Sequence, residues 1–90
     1  MKKKTKKAEH IAELLDMPLD VMCDLPRTEI IGRSKVYIEN FRGILDYNES
    51  CIKINTSAGI LKIDGDELII ESITDEGVWV KGIIAVVSFI

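Results

Sequence analysis

From Thr28 onward, hydrophobic and polar positions alternate in short runs, and each run ends at glycine, asparagine, serine or aspartate. The run that sets the plan is Val36 to Gly43. Val36 and Ile38 point one way and Tyr37 and Glu39 the other, which is the two-residue period of a strand. Asn40 and Gly43 come next, two residue types that tolerate a left-handed or bulged backbone. The same grammar predicts strands over Thr28 to Ile31, Lys35 to Glu39, Gly43 to Tyr47, Cys51 to Thr56, Ile60 to Asp64 and Glu67 to Ile73. Val78 to Ile90 predicts one long strand, or two broken near Gly82. Turns are expected at Gly32-Arg33-Ser34, Asn48-Glu49-Ser50, Ser57-Ala58-Gly59 and Thr74 to Gly77. Asp64-Gly65 reads as a hairpin turn, because a type I′ turn needs positive φ.

This spacing of turns, with strands rich in Ile, Val and Tyr, predicts a mainly β fold: a small antiparallel sandwich or roll of six to eight short strands. A weak echo of Gly43-Ile44-Leu45, Gly59-Ile60-Leu61 and Gly82-Ile83-Ile84 keeps a short β-solenoid as the alternative, although the spacings are unequal. Residues 1–25 break the pattern. Ala8, Ile11, Ala12 and Leu15 share one helical stripe, and Pro18 suits the start of a second helical turn. Pro26 restricts Leu25 and ends the helical reading. The expected organisation is a helical leader over 1–25 and a β domain over 26–90. A helix this short needs a surface to dock on.

The last stretch carries apolar residues on both faces. Strict alternation puts Val78, Val80, Ile84, Val86 and Ile90 on one side, and Trp79, Ile83, Ala85, Val87 and Phe89 on the other. Lys81 is its only charge. A half-buried strand should alternate apolar with polar, so one face is expected in the core and the other against the leader, a second copy or a partner. Trp79, Ile83, Val87 and Phe89 are therefore candidate contact residues. Phe41 and Arg42 join them as a knuckle beside Asn40. The plainer reading there is that Asn40 caps its own turn and Arg42 pairs with a nearby acid.

Charge divides the chain further. The net charge of −3 conceals Lys2, Lys3, Lys4, Lys6 and Lys7 in the first seven positions, which leaves seven basic residues against fifteen acids in the rest. A body with a balance of −8 argues against general nucleic-acid binding. The lysine tip is either a solvated tail or a means of reaching an anionic membrane, where each lysine contributes about 1 kcal/mol. No apolar run comes after it as a signal peptide requires, and none reaches the roughly 20 residues of a membrane span.

Catalytic and metal chemistry find no support. His10 is the single histidine and lies in the leader, so no nucleophile–histidine pair is expected. Cys23 and Cys51 have no metal-ligand spacing, and a reducing compartment with free thiols fits them. Asp64, Asp66 and Glu67 lack the twelve-residue calcium pattern, and Asp75-Glu76-Gly77 reads as a turn. No phosphate-cradling glycine motif occurs. The expectation is a protein with no catalytic, metal or cofactor site.

Asp24-Leu25-Pro26-Arg27, Ile30-Ile31-Gly32 and Val36-Tyr37-Ile38-Glu39-Asn40-Phe41-Arg42-Gly43-Ile44-Leu45 resemble the YabP/YqfC family of sporulation proteins, the YqfC branch in particular. The likeness continues through Gly59-Ile60-Leu61-Lys62-Ile63, Gly65 and Gly82-Ile83-Ile84, so it covers most of the chain from Met17. The resemblance implies an endospore-forming bacterium, a non-enzymatic role late in spore formation and a place in the mother-cell cytoplasm. It also implies a candidate partner, a membrane-associated sporulation protein of the YqfD type, beside the second copy that the two-faced last strand suggests.

Overall fold

The computed structural model describes residues 24–90. Six strands succeed one another: β1 (Arg27–Ile31), β2 (Lys35–Glu39), β3 (Phe41–Tyr47), β4 (Cys51–Thr56), β5 (Gly59–Ile73) and β6 (Gly77–Phe89). They form one sheet in the order β1-β2-β6-β5-β4-β3, and every pairing is antiparallel. That order and direction overturn the β-solenoid, whose coils would stack neighbouring strands in sequence. The helical leader expected over 1–25 lies, as far as residue 23, outside the described residues.

The turns are built by the residues that mark them. Gly32 has φ of 54°, and Ser34 donates its N–H to the Ile31 carbonyl. Asn48 Oδ1 accepts from the N–H groups of Ser50 and Cys51, each at 2.9 Å. Thr56 Oγ1 donates to the Gly59 carbonyl at 2.7 Å and accepts the Ala58 N–H, which satisfies a buried hydroxyl. Thr74 repeats the arrangement across the β5–β6 turn.

Asp64-Gly65 does not turn. The chain runs through it, and the expected fifth and sixth strands are one strand, β5. Gly65 is needed there for lack of a side chain: an added Cβ would lie on the Ile83 carbonyl of β6. Gly82 has the matching role in β6, with φ of +144° and the Glu67 carbonyl 2.7 Å from where a Cβ would stand. The backbone groups freed at these points are met by the hairpin turns. Gly65 and Leu68 donate to the Ser50 and Glu49 carbonyls, and Gly82 and Ile84 donate to the Ser34 and Arg33 carbonyls.

The two long strands therefore divide at their glycines. The first half of β6 pairs with β2 and with the end of β5, while the first half of β5 pairs with β4 and with the end of β6. Side chains from both halves form one core cluster: Val36, Ile38, Leu68, Val78 and Val80 from one, and Ile52, Ile54, Leu61, Ile63 and Ile84 from the other. Most are fully buried. With no helix among the described residues, such burial requires the sheet to bend back on itself, face to face.

The register exposes an internal two-fold relation. Val36 pairs with Val80 and Ile38 with Val78, and in the same geometry Ile52 pairs with Ile63 and Ile54 with Leu61. Exchanging β1 with β3, β2 with β4 and β6 with β5 maps the sheet order onto itself. Under that exchange the ten core residues fall into five matched pairs: Val36 with Ile52, Ile38 with Ile54, Val78 with Leu61, Val80 with Ile63, and Ile84 with Leu68. Gly65 and Gly82 form a sixth match.

Candidate interaction surface

Alternation places Trp79 opposite the buried Val78 and Val80, so it faces outward from β6. Tyr37 is its cross-strand partner on β2. Their ring centroids are 4.7 Å apart with an interplanar angle of 31°, a geometry worth about 0.5–1.5 kcal/mol beyond burial. Lys35 Nζ lies 5.8 Å from the Trp79 ring centre. Glu71 accepts from Lys35 at 3.3 Å and sits 3.6 Å from Lys81, tying β5 to β2 and β6. The Tyr37 ring lies over Gly77, where a Cβ would collide with it. Burial pushes the Tyr37 phenol above the usual tyrosine pKa; Glu39 and Glu76 add to the rise and Arg27 opposes it. Tyr37 is thus a neutral hydroxyl at physiological pH.

Beyond Gly82 the faces change over. Asp64 pairs with Val86 while Gly65 pairs with Ile84, so Ala85 is an extra residue bulged out of β6. A bulge of one residue reverses the alternation beyond it. Val87 pairs with the buried Ile63 and packs on the core, and Phe89 pairs with Leu61 on the same inner side. Val86 turns outward instead. This corrects the two-face assignment of the sequence: Val87 and Phe89 leave the set headed by Trp79 and Ile83, and Val86 joins it. Ile83 (51%), Val86 (50%) and the adjoining Ile90 (63%) are well exposed.

Phe41 packs against the core, and Arg42 is exposed at a bulge between Phe41 and Gly43. None of the ion pairs among the described residues involves Arg42. Asn40 has φ of 62°, as its position demands. Its side chain does not cap its own turn; Nδ2 donates to the Leu25 carbonyl at 2.8 Å. The structure thus brings Trp79 and Ile83 to one outward face and separates Phe41 and Arg42 from it. Lys2, Lys3, Lys4, Lys6, Lys7, His10 and Cys23 lie outside the described residues. Asp64 is paired with Lys62 at 3.6 Å. Among the described residues no group of three His, Cys, Asp or Glu side chains could hold a metal ion, and no helix is long and apolar enough to cross a membrane.

Sequence reasoning missed Lys35, Glu71 and Lys81 as the polar frame of this face. Lys35 and Lys81 were legible, since each continues the outward parity of Tyr37 and Trp79. Glu71 was not, because it occupies a further β5 bulge between Ile70 and Ser72.

Residues 25–90 match the profile of the YabP family. Over 80 residues, which is 89% of this chain and 86% of the relative, the sequence is 36% identical to the uncharacterized protein YqfC of Bacillus subtilis (strain 168). The chain belongs to the YabP/YqfC family. No solved structure matches it. Membership makes this YabP/YqfC protein sporulation-related. The Asp-Leu-Pro-Arg and Ile-Glu-Asn-Phe-Arg-Gly pieces that carried the resemblance correspond to the entry into β1 and to the β2–β3 junction. The junction is where Asn40 holds its left-handed φ and reaches Leu25.

Proposed function

We propose that this YabP/YqfC protein is a non-enzymatic docking domain that acts late in spore formation. Its outward β6 face would take a second copy of the chain or a membrane-associated sporulation protein of the YqfD type. The observation that supports this reading is the set of exposed apolar side chains at Ile83 and Val86 on the outward side of β6 and at Ile90 just beyond it. Exposed apolar side chains grouped on one face, rather than scattered, mark contact surfaces. The polar frame of Lys35, Glu71 and Lys81 stands around Trp79, in the half of the sheet before the Gly82 bend, and resembles the rim of such a surface.

Size exclusion with light scattering at micromolar concentration tests the self-association arm. The expected result is a dimer or larger species that returns to monomer in the Val86→Glu variant. A monomer of unchanged mass in both chains removes that arm and leaves a different protein as the partner.

A second reading has its own support, the five lysines of residues 1–7 with no acid among them. In that reading the protein binds the surface of an anionic membrane. Flotation with phosphatidylserine vesicles would then fall sharply on removal of Lys2 to Lys7 and at high salt, since charge attraction is screened. Flotation indifferent to both changes rules it out.

A further inference from the structure

Two inward-facing residues are not covered. Ile73 pairs with Val78 and Phe89 with Leu61, so both stand beside fully or nearly fully buried side chains on the core side of the sheet. Yet Ile73 is 52% exposed and Phe89 54%. They are also partners under the internal two-fold relation. Each ends the half-strand that runs away from the bend at Gly65 and Gly82, so together they mark the end of the molecule where the two halves of the sheet part.

The described chain starts at that same end, and it is held to both halves. Ser57 Oγ, in the β4–β5 turn, donates to the Asp24 carbonyl at 2.7 Å. Asn40 Nδ2, at the β2–β3 junction, donates to the Leu25 carbonyl at 2.8 Å. Leu25 and Phe41 are half-buried there. The preceding residues therefore leave from the mouth of the open end. They include Leu19, Val21 and Met22 within six positions of Leu25, and Ile11, Leu14 and Leu15 further back.

We propose that the apolar residues of segment 8–23 of the same chain close this open end by seating on Ile73 and Phe89. Three considerations select this occupant over a second copy. The tether ends at the site, and a short tether gives an effective concentration on the order of millimolar, above that of any free chain in dilute solution. Six residues of extended chain span at most about 20 Å, enough to lay Leu19, Val21 and Met22 across the end of a small sheet. The spacing of Ala8, Ile11, Ala12 and Leu15 makes a stripe that needs a surface to bury against. The outward β6 face lies on the other side of the sheet, so the two sites stand or fall separately.

The test uses the full chain with p-benzoylphenylalanine in place of Phe89, irradiated as an equal mixture of unlabelled and nitrogen-15-labelled protein. The expected crosslink joins position 89 to a peptide within residues 8–23, with both ends carrying the same label. Mixed-label crosslinks, or crosslinks that avoid 8–23, overturn the proposal. The Leu19→Glu/Val21→Glu variant should lower the crosslink yield by at least about tenfold, the factor expected from losing the burial of even one of the two apolar side chains. An undiminished yield also overturns it. Nuclear Overhauser contacts between the Phe89 ring and methyl groups of Leu19, Val21 or Met22 read the same seat in the unsubstituted chain, and their absence is equally fatal.

Discussion

Gly65 and Gly43 sit in the same sheet and differ in what surrounds them. An added Cβ at Gly65 would strike the Ile83 backbone and press on the Leu68 side chain, whereas one at Gly43 would meet nothing within 4 Å. The collision at Gly65 is with main chain, which cannot swing aside as a side-chain tip can. Gly65→Ala should therefore destabilise the protein by about 2–3 kcal/mol, in the range of overpacking and strain. Gly43→Ala should change stability by less than about 0.5 kcal/mol. Urea unfolding followed by Trp79 fluorescence measures both, and equal effects would refute the close-approach account. Asn40 is the complementary case: it adopts a left-handed φ without being glycine, and its amide reaches across to Leu25.

Among the elements, β2 and β4 were legible residue for residue, because Val36/Ile38 and Ile52/Ile54 alternate cleanly with polar neighbours and meet no bulge. β5 and β6 were not. Bulges leave no distinctive residue type behind: Ala85, Glu67 and Glu71 are ordinary in composition, and each shifts the parity of the residues beyond it. The Asp64-Gly65 signal misled for a related reason. Glycine serves a tight turn and a close backbone approach equally well, and only the neighbouring strand decides between them. The candidate face was accordingly half readable. Trp79 and Ile83 precede the Ala85 bulge and were placed correctly, while Val87 and Phe89 come after it and were not. Deleting Ala85 tests the device directly. With Ala85 gone, Ile84 would face in, Val86 out and Val87 in, as they do now, and the pairs Gly65–Ile84 and Asp64–Val86 would follow one another with no extra residue between them. The variant should therefore keep Val87 and Phe89 on the inner side and cost no more than about 1 kcal/mol in urea unfolding. A loss well beyond that would show that Ala85 does more than add one residue to β6.

At the scale of the whole molecule the five matched core pairs make a prediction of their own. Ile38 and Ile54 are both fully buried and occupy equivalent places in β2 and β4. Ile38→Val and Ile54→Val should each cost about 0.5–1.5 kcal/mol, with similar values for the two. Urea midpoints of the two variants decide it; a full effect at one site and none at the other would reduce the two-fold relation to topology alone. The relation also has an unequal side. β3, β4 and the first half of β5 are consecutive, so most of that half comes from one uninterrupted stretch and only the end of β6 joins it later. The other half needs β1 and β2 joined to β6, which comes last in chain order yet lies between β2 and β5. During synthesis on a ribosome, Val36 and Ile38 emerge early and stay wet until Val78 and Val80 have come out after them. A nascent chain halted before β6 would present that bare hairpin to chaperones and proteases, so the fold checks its own completion with its central strand.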